Sequence, residues 1–187
     1  MKAPATPGHA AIASTESAEP ERTGAADLFR AHAGFVAGFL TRMGASTVDV
    51  DDLTQEVFLV AHRRGGYVAG PARPTTWLAE IALRVLSTHR RTKRRKPEKM
   101  AGDELDAMIS ERAAADDQVS ARRALARVQR CLEGLDEEHR AVFVLFELEG
   151  EPCSAIAGAL GIPVGTVYSR LHHARKKFTD AWGGGTP

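Results

Sequence analysis

Cysteine is scarce in this chain: 187 residues hold two, Cys131 and Cys153. Two thiols are too few for a disulfide framework or a four-thiolate zinc site, and neither lies in a CxxC pair. They read as small buried hydrophobes in a reducing compartment. Long apolar runs are missing too, for nothing approaches the ~20 residues that a membrane helix needs. No sign of charge dominates: 25 Lys and Arg stand against 24 Asp and Glu, a formal net charge of +1. Total charge therefore says nothing about partners, and only the placement of charges can. Polar and apolar residues nowhere alternate long enough for a useful strand. Catalytic signatures are lacking as well, with no nucleophile elbow, no phosphate-cradling glycine loop and no HExxH. The expectation is a protein that is not an enzyme and that needs no cofactor and no metal. Apolar residues nevertheless make up 43% and charged residues 26% of the chain. That composition is ordinary for a globular protein and excludes a collagenous, mucin-like or fully disordered one.

What is present is helical. The first 25 residues are rich in Ala, Pro, Ser, Thr and Glu and lack the apolar core of a secretory signal, so residues 1–25 read as a disordered tail. Beyond them Leu28, His32, Phe35, Val36, Phe39, Leu40 and Met43 recur at steps of three and four, the spacing of one helix face, with Gly44 as a stop. Asp51 or Asp52 is placed to cap a second helix that carries Leu53, Val57, Val60 and Ala61 on one side. After a loop with Tyr67, Gly70, Pro71 and Pro74, Thr75 or Thr76 can cap a third helix. Its apolar face is Trp77, Leu78, Ile81, Ala82, Val85 and Leu86, and it ends by Pro97.

Residues 98–117 change character, with seven acids against Lys99 and Arg112. They read as a flexible acidic linker, taken as 98–119. Periodicity resumes at Leu125, Val128, Leu132 and Leu135, then at Val142, Leu145 and Phe146 behind a capping Asp136. A short helix with Ile156, Ala157 and Leu160, a turn at Gly161-Ile162-Pro163, and a last helix with Val167, Leu171, Ala174 and Phe178 follow, before a glycine-rich tail over 181–187. The fold class is all-α: two small helical domains, residues 26–97 and 120–180, joined by the linker.

Three groups of residues carry chemistry. The pair of short helices near the C-terminus has the form of a helix-turn-helix. With Val167, Leu171, Ala174 and Phe178 turned inward, a rotation of 100° per residue puts Gly165, Thr166, Ser169, His172, His173 and Lys176 on the opposite side, flanked by Arg170 and Arg175. No acid occurs from Pro163 to Phe178. Such a helix suits a major groove between phosphates. His172 and His173 are neighbours that point about 100° apart, which fits a phosphate or base better than a metal. The second group is the basic run from Arg84 to Lys99, eight cations against Glu98. It continues the helix that starts at Trp77. Cations that follow a backbone and rings that receive unstacked bases suit melted DNA, while Trp77 fits core packing equally well. The third group is the face formed by Asp52, Gln55, Glu56 and Leu59, opposite Leu53, Val57 and Val60. An acidic and amide face with one exposed leucine suits a basic protein partner.

These motifs resemble a known family. "DDLTQEVFLVAHR" with "TTWLAEIALRVLSTHRRTKRR" resembles region two, and "LEGLDEEHRAVFVLFELEGEPCSAIAGALGIPVGTVYSRLHHARKKF" region four, of the extracytoplasmic-function (ECF) sigma factors. The resemblance implies a dissociable, cytoplasmic subunit of bacterial RNA polymerase that directs promoter recognition and melting. It implies that Asp52, Gln55, Glu56 and Leu59 dock on the coiled coil of the polymerase β′ subunit. Tyr67, Trp77, Arg84, Thr88, Arg90 and Arg91 would capture the minus-ten element. Thr166, Ser169, Arg170, His173, Arg175 and Lys176 would read the minus-thirty-five element, and region four would contact the β flap. It further implies an anti-sigma factor as a partner, and no membrane insertion. Three positions depart from the family pattern: Arg84 stands where Asn is usual, Thr88 where Asp is, and Ala155 where Glu is. The first two lie on the minus-ten helix and bear on base preference. The competing readings are a stand-alone helix-turn-helix regulator, which leaves the Asp52–Gln55–Glu56 face and the basic helix unexplained, and a helical adaptor or hidden enzyme, which the acid-free last helix opposes.

Overall fold

The computed structural model describes residues 22–70, 72–95 and 116–184. Seven α-helices carry the architecture: α1 (Ala25–Arg42), α2 (Thr47–Arg63), α3 (Pro74–Arg95), α4 (Asp116–Glu133), α5 (Glu137–Phe143), α6 (Cys153–Leu160) and α7 (Val164–Gly183). A π-helical segment, Val144–Leu148, continues α5. Two short strands, β1 (Arg22–Thr23) and β2 (Tyr67–Val68), pair antiparallel, Arg22 opposite Val68 and Thr23 opposite Tyr67.

The periodicities behave as the spacing demands. Leu28, Val36, Phe39 and Leu40 of α1, Met43 just after it, Leu53, Val57 and Ala61 of α2, and Leu78, Ile81, Ala82 and Leu86 of α3 are buried together. Cutting Phe39, which has no exposure, back to alanine costs about 3–5 kcal/mol. In the second half Leu132, Leu135, Val142, Leu145, Ile156, Val167, Leu171 and Ala174 are buried with Cys153 among them, and Cys131 is buried as well. Leu125 departs from the expected face. It is 69% exposed, because α4 meets the rest of its half mainly through α7 and Leu125 sits on the outer side of that contact.

The caps show where local chemistry decides a boundary. Asp136 caps α5 as expected, its carboxylate accepting from the amide of His139 at 3.2 Å. The cap assigned to Asp51 or Asp52 moves: α2 starts at Thr47 behind Ser46, a turn earlier. Ser46 Oγ donates to Asp49 at 2.6 Å, which fixes the entry with residues upstream of the two aspartates. Burial raises the Asp49 carboxyl, but the hydrogen bonds from Lys93 and Ser46 outweigh it and hold the group below its ordinary range. Helix α3 starts at Pro74, a first-turn position where a missing amide hydrogen costs nothing.

Three expected boundaries shift, the first being that of the C-terminal tail, whose residues 181–183 are the end of α7. Residues 22–25, assigned to the tail, form β1 and the start of α1. The reason is a close approach that only glycine permits: a Cβ on Gly66, at φ +86°, would stand 2.4 Å from the Thr23 carbonyl oxygen. Residues 116–119, assigned to the linker, belong to α4. Residues 1–21 of the expected tail, 71 and 96–97 of the expected first domain, 98–115 of the expected linker and 185–187 lie outside the described residues. Among the described residues no helix is long and apolar enough to cross a membrane.

Candidate polymerase and promoter interface

Three surfaces correspond to the three groups of residues. On α2, Asp52, Gln55 and Leu59 are exposed, Leu59 at 50%, and Glu56 is half-buried beside Arg63, whose Nη1 lies 3.2 Å away. Their buried neighbours Leu53 and Val57 anchor the other side of the helix against α1 and α3. The four side chains thus form one ridge. Asp52 and Glu56 also edge a groove of about 610 Å³ between α2 and α3, with Arg84, Thr88 and His89 on its far wall.

The second surface is built on the β2 turn and α3. Tyr67 donates its hydroxyl hydrogen to the Ala72 carbonyl at 2.6 Å and meets Trp77 edge to face, ring centres 5.9 Å apart. Both rings are partly buried against the core. The Tyr67–Trp77 contact ties β2 to the first turn of α3. Trp77, Arg84, Thr88 and Arg91 fall at steps of seven, four and three, one stripe of α3. Arg84, Thr88 and Arg91 are exposed along it, and Arg84 lies 3.0 Å from Glu80.

Arg90 does not join that stripe. One residue round the helix, its Nη2 donates to the Met43 carbonyl at 2.6 Å and to that of Gly44 at 3.2 Å, and its Nη1 to Glu137 at 2.9 Å. The helix C-terminus of α1 presents unpaired carbonyls with the negative end of its dipole, and Arg90 satisfies them. The sequence places Arg90 and Arg91 in one basic run; the fold separates them.

The third surface is the helix-turn-helix of α6 and α7. Gly161 takes the left-handed conformation, φ +65°, that the sharp turn requires. Gly165, Ser169, His172, His173 and Lys176 are exposed on α7 and Thr166 is half-exposed. The Ser169 hydroxyl donates to the Thr166 carbonyl at 3.0 Å. The flanking arginines are held by acids of the preceding segment: Arg170 by Glu138 of α5, and Arg175 by Glu147 at 2.5 Å, its guanidinium 5.2 Å from the Phe146 ring centre. Exposed ion pairs of this kind are worth only about 0–1 kcal/mol, so a phosphate can take either cation. Tyr168, on α7 and 60% exposed, escaped the sequence reading. Its rotation, midway between the inner and outer faces, was the available signal. Ala155, at the family's usual Glu position, is half-buried in α6.

The second and third surfaces meet. A cleft of about 560 Å³ is lined by Arg84, Thr88 and Arg91 of α3 and by Leu160, Ile162 and Arg170 of the helix-turn-helix.

Comparison with known proteins places these surfaces in a family. The Sigma-70 region 2 profile matches residues 28–96, and the Sigma-70, region 4 profile matches residues 125–178. RNA polymerase sigma factor HrpL of Pseudomonas syringae pv. syringae is 34% identical over 139 residues, 73% of this chain and 75% of that one. The ECF RNA polymerase sigma-E factor of Escherichia coli K12 is 32% identical over 139 residues, 71% of this chain and 73% of that one. Among solved structures, CnrH in complex with the cytosolic domain of CnrY aligns with TM-score 0.62 at 24% identity, covering 87% of this chain and 89% of that chain. Sigma factor RpoE of Bartonella quintana, in complex with the anti-sigma factor NepR, aligns with TM-score 0.63 at 16% identity, covering 84% and 96%. The chain belongs to the sigma-70 family, in its extracytoplasmic-function class. It is an RNA polymerase sigma factor.

Proposed function

We propose that the three surfaces divide the work of transcription initiation. The α2 ridge of Asp52, Gln55, Glu56 and Leu59 docks on the β′ coiled coil of core polymerase. Tyr67 and Trp77, with the Arg84–Thr88–Arg91 stripe, take up the minus-ten element as it melts. The outer face of α7, Thr166, Ser169, His173 and Lys176 with Arg170 and Arg175 at its edges, reads the minus-thirty-five element, and its half touches the β flap. Residues 22–95 and 116–184 are the two working domains. The chain acts in the cytoplasm, where core polymerase is, and catalyses no reaction of its own. An anti-sigma factor holds it until it is needed; the structurally similar sigma factor RpoE is seen with the anti-sigma factor NepR, and the similar CnrH with the cytosolic domain of CnrY.

One observation carries this reading: the acidic, leucine-bearing ridge and the two basic DNA-facing surfaces lie on different helices of one chain, so a protein and a promoter can be held together. A DNA-binding regulator alone has no use for the ridge. Titration of the purified protein into bacterial core polymerase, read by anisotropy, tests it. Tight one-to-one binding followed by promoter-dependent initiation is expected. Failure to bind core, with direct binding of free protein to duplex DNA, would replace this function with that of a stand-alone regulator.

A further inference from the structure

We propose that β1 is a brace for the minus-ten surface, and that Arg22 and Thr23 are positioning residues that set Tyr67 for the displaced strand without touching DNA. This rests on the minus-ten role proposed above for Tyr67 and Trp77.

Helix α2 ends in a Schellman turn. The Gly65 amide donates to the His62 carbonyl at 2.8 Å, and the Gly66 amide to that of Ala61 at 3.0 Å. Such a turn asks for one left-handed residue just past the helix, and Gly65, at φ +79°, supplies it. Gly66 is left-handed as well, at φ +86°, which the helix end does not require. The strand β1 does require it. A Cβ on Gly65 would stand 2.8 Å from Arg22 Nη1, and one on Gly66 would press on the Thr23 carbonyl. Both glycines therefore leave room for β1, directly before Tyr67.

The strand is anchored from two sides. Arg22 Nη1 donates to the Gly65 carbonyl at 3.0 Å, and Thr23 lies opposite Tyr67 in the antiparallel pair. On the other side Gly24 is the N-cap residue of α1, its carbonyl accepting from the amide of Leu28 at 3.0 Å, and Leu28 is buried in the core. A pair of two-residue strands is marginal on its own, so these anchors decide whether it holds. Through Gly24 and Thr23 the frame of α1 reaches Tyr67, and Tyr67 meets Trp77. The strand precedes residue 28, where the match to region 2 begins, so that match assigns it no work.

A surface that is in place only part of the time loses apparent affinity by that fraction. With β1 detached and Tyr67 in position about a tenth of the time, affinity for the displaced strand falls about tenfold.

The experiment uses holoenzyme assembled from core polymerase and the full chain. The probe is a fork-junction DNA, duplex upstream and single-stranded over the minus-ten element, taken by the unaltered holoenzyme from a randomised pool. Its affinity is read by anisotropy across a salt series, beside affinity for core and for the upstream duplex alone. Arg22→Ala and Gly66→Ala are each expected to weaken fork binding about tenfold and to leave the other two affinities as they were. Arg22 is exposed, so its loss spares the fold. Arg22→Lys keeps a donor and is expected to restore most of the affinity. Added to Tyr67→Ala, Arg22→Ala is expected to cost no more than about twofold, because it acts through that ring. The salt slope is expected to stay as it is, whereas a lost phosphate contact lowers it by about 1. Fork affinity that is unchanged in both variants overturns the proposal and leaves the proposed function standing. So does a lowered slope in Arg22→Ala, which makes Arg22 a direct phosphate contact, or an equal loss on the upstream duplex, which makes β1 a support of the whole fold. A pool from which the unaltered holoenzyme takes no fork, or Tyr67→Ala with Trp77→Ala binding the fork unchanged, overturns the minus-ten role itself and the brace with it.

Discussion

The guanidinium of Arg90 donates to the Met43 carbonyl at 2.6 Å, while the next residue, Arg91, is exposed at the cleft it shares with Arg170. Two arginines adjacent in sequence have different work. Arg90→Ala removes the donor to the Gly44 carbonyl, leaves the Met43 carbonyl with Arg140 alone, and is expected to destabilise the fold by about 1–3 kcal/mol. Arg91→Ala is expected to leave stability within about 0.5 kcal/mol and to reduce the salt slope of promoter binding by about 1. Urea unfolding and a salt titration of DNA affinity separate the two. Equal stabilities would mean that the Arg90 contact is not energetically significant.

The α2 ridge is expected to act without supporting the fold, because its side chains face solvent. Gln55→Ala with Glu56→Ala should weaken core polymerase binding by about 10-fold or more, as loss of a central contact patch does. Helicity by circular dichroism should not change. Unchanged affinity for core would remove this face from the docking site.

Asp136 links stability to acid. Its hydrogen bond with the His139 ring, assisted by the His139 amide and Lys177 and opposed by slight burial, lowers its pKa to about 2 from the ordinary 3.8. A group depressed in the folded state binds more protons when unfolded, so it favours folding above the ordinary value. That contribution is fully present above about pH 4. It fades as pH falls through about 2. Asp136→Asn keeps an N-cap acceptor and removes the charge. Urea midpoints measured from pH 5 to 2 should fall less steeply for this variant than for the parent. Parallel curves would show that the Asp136 charge does not contribute.

Gly66 holds the β1–β2 pair close. Gly66→Ala brings a methyl group against the Thr23 carbonyl at a positive φ, so β1 must detach or the turn must shift. The expected result is a loss of about 1–3 kcal/mol and faster amide exchange at Val68 and Tyr67. Exchange that stays slow at both residues would mean that the turn holds its shape without β1.

Much of this molecule was legible in its residues. Steps of three and four placed the helices, Gly161 and Pro163 placed the turn of the helix-turn-helix, and Asp136 marked the start of α5. Of the inward set of α7, Val167, Leu171 and Ala174 are buried as the rotation of a helix requires, and Phe178 is partly buried. The outer ridge of α2 followed from the same geometry. These features depend on neighbours within a turn or two, and short-range spacing records them. Only the tertiary structure decided the rest. Whether an arginine meets a phosphate, a carbonyl or a carboxylate depends on segments far away in the chain. Arg140 finds Met43 across 97 positions, and Thr75 finds Glu151 across 76. In the sequence Glu151 is one acid among several in a turn. It becomes a buried anchor because two halves, each folded by its own local pattern, close on it and exclude water.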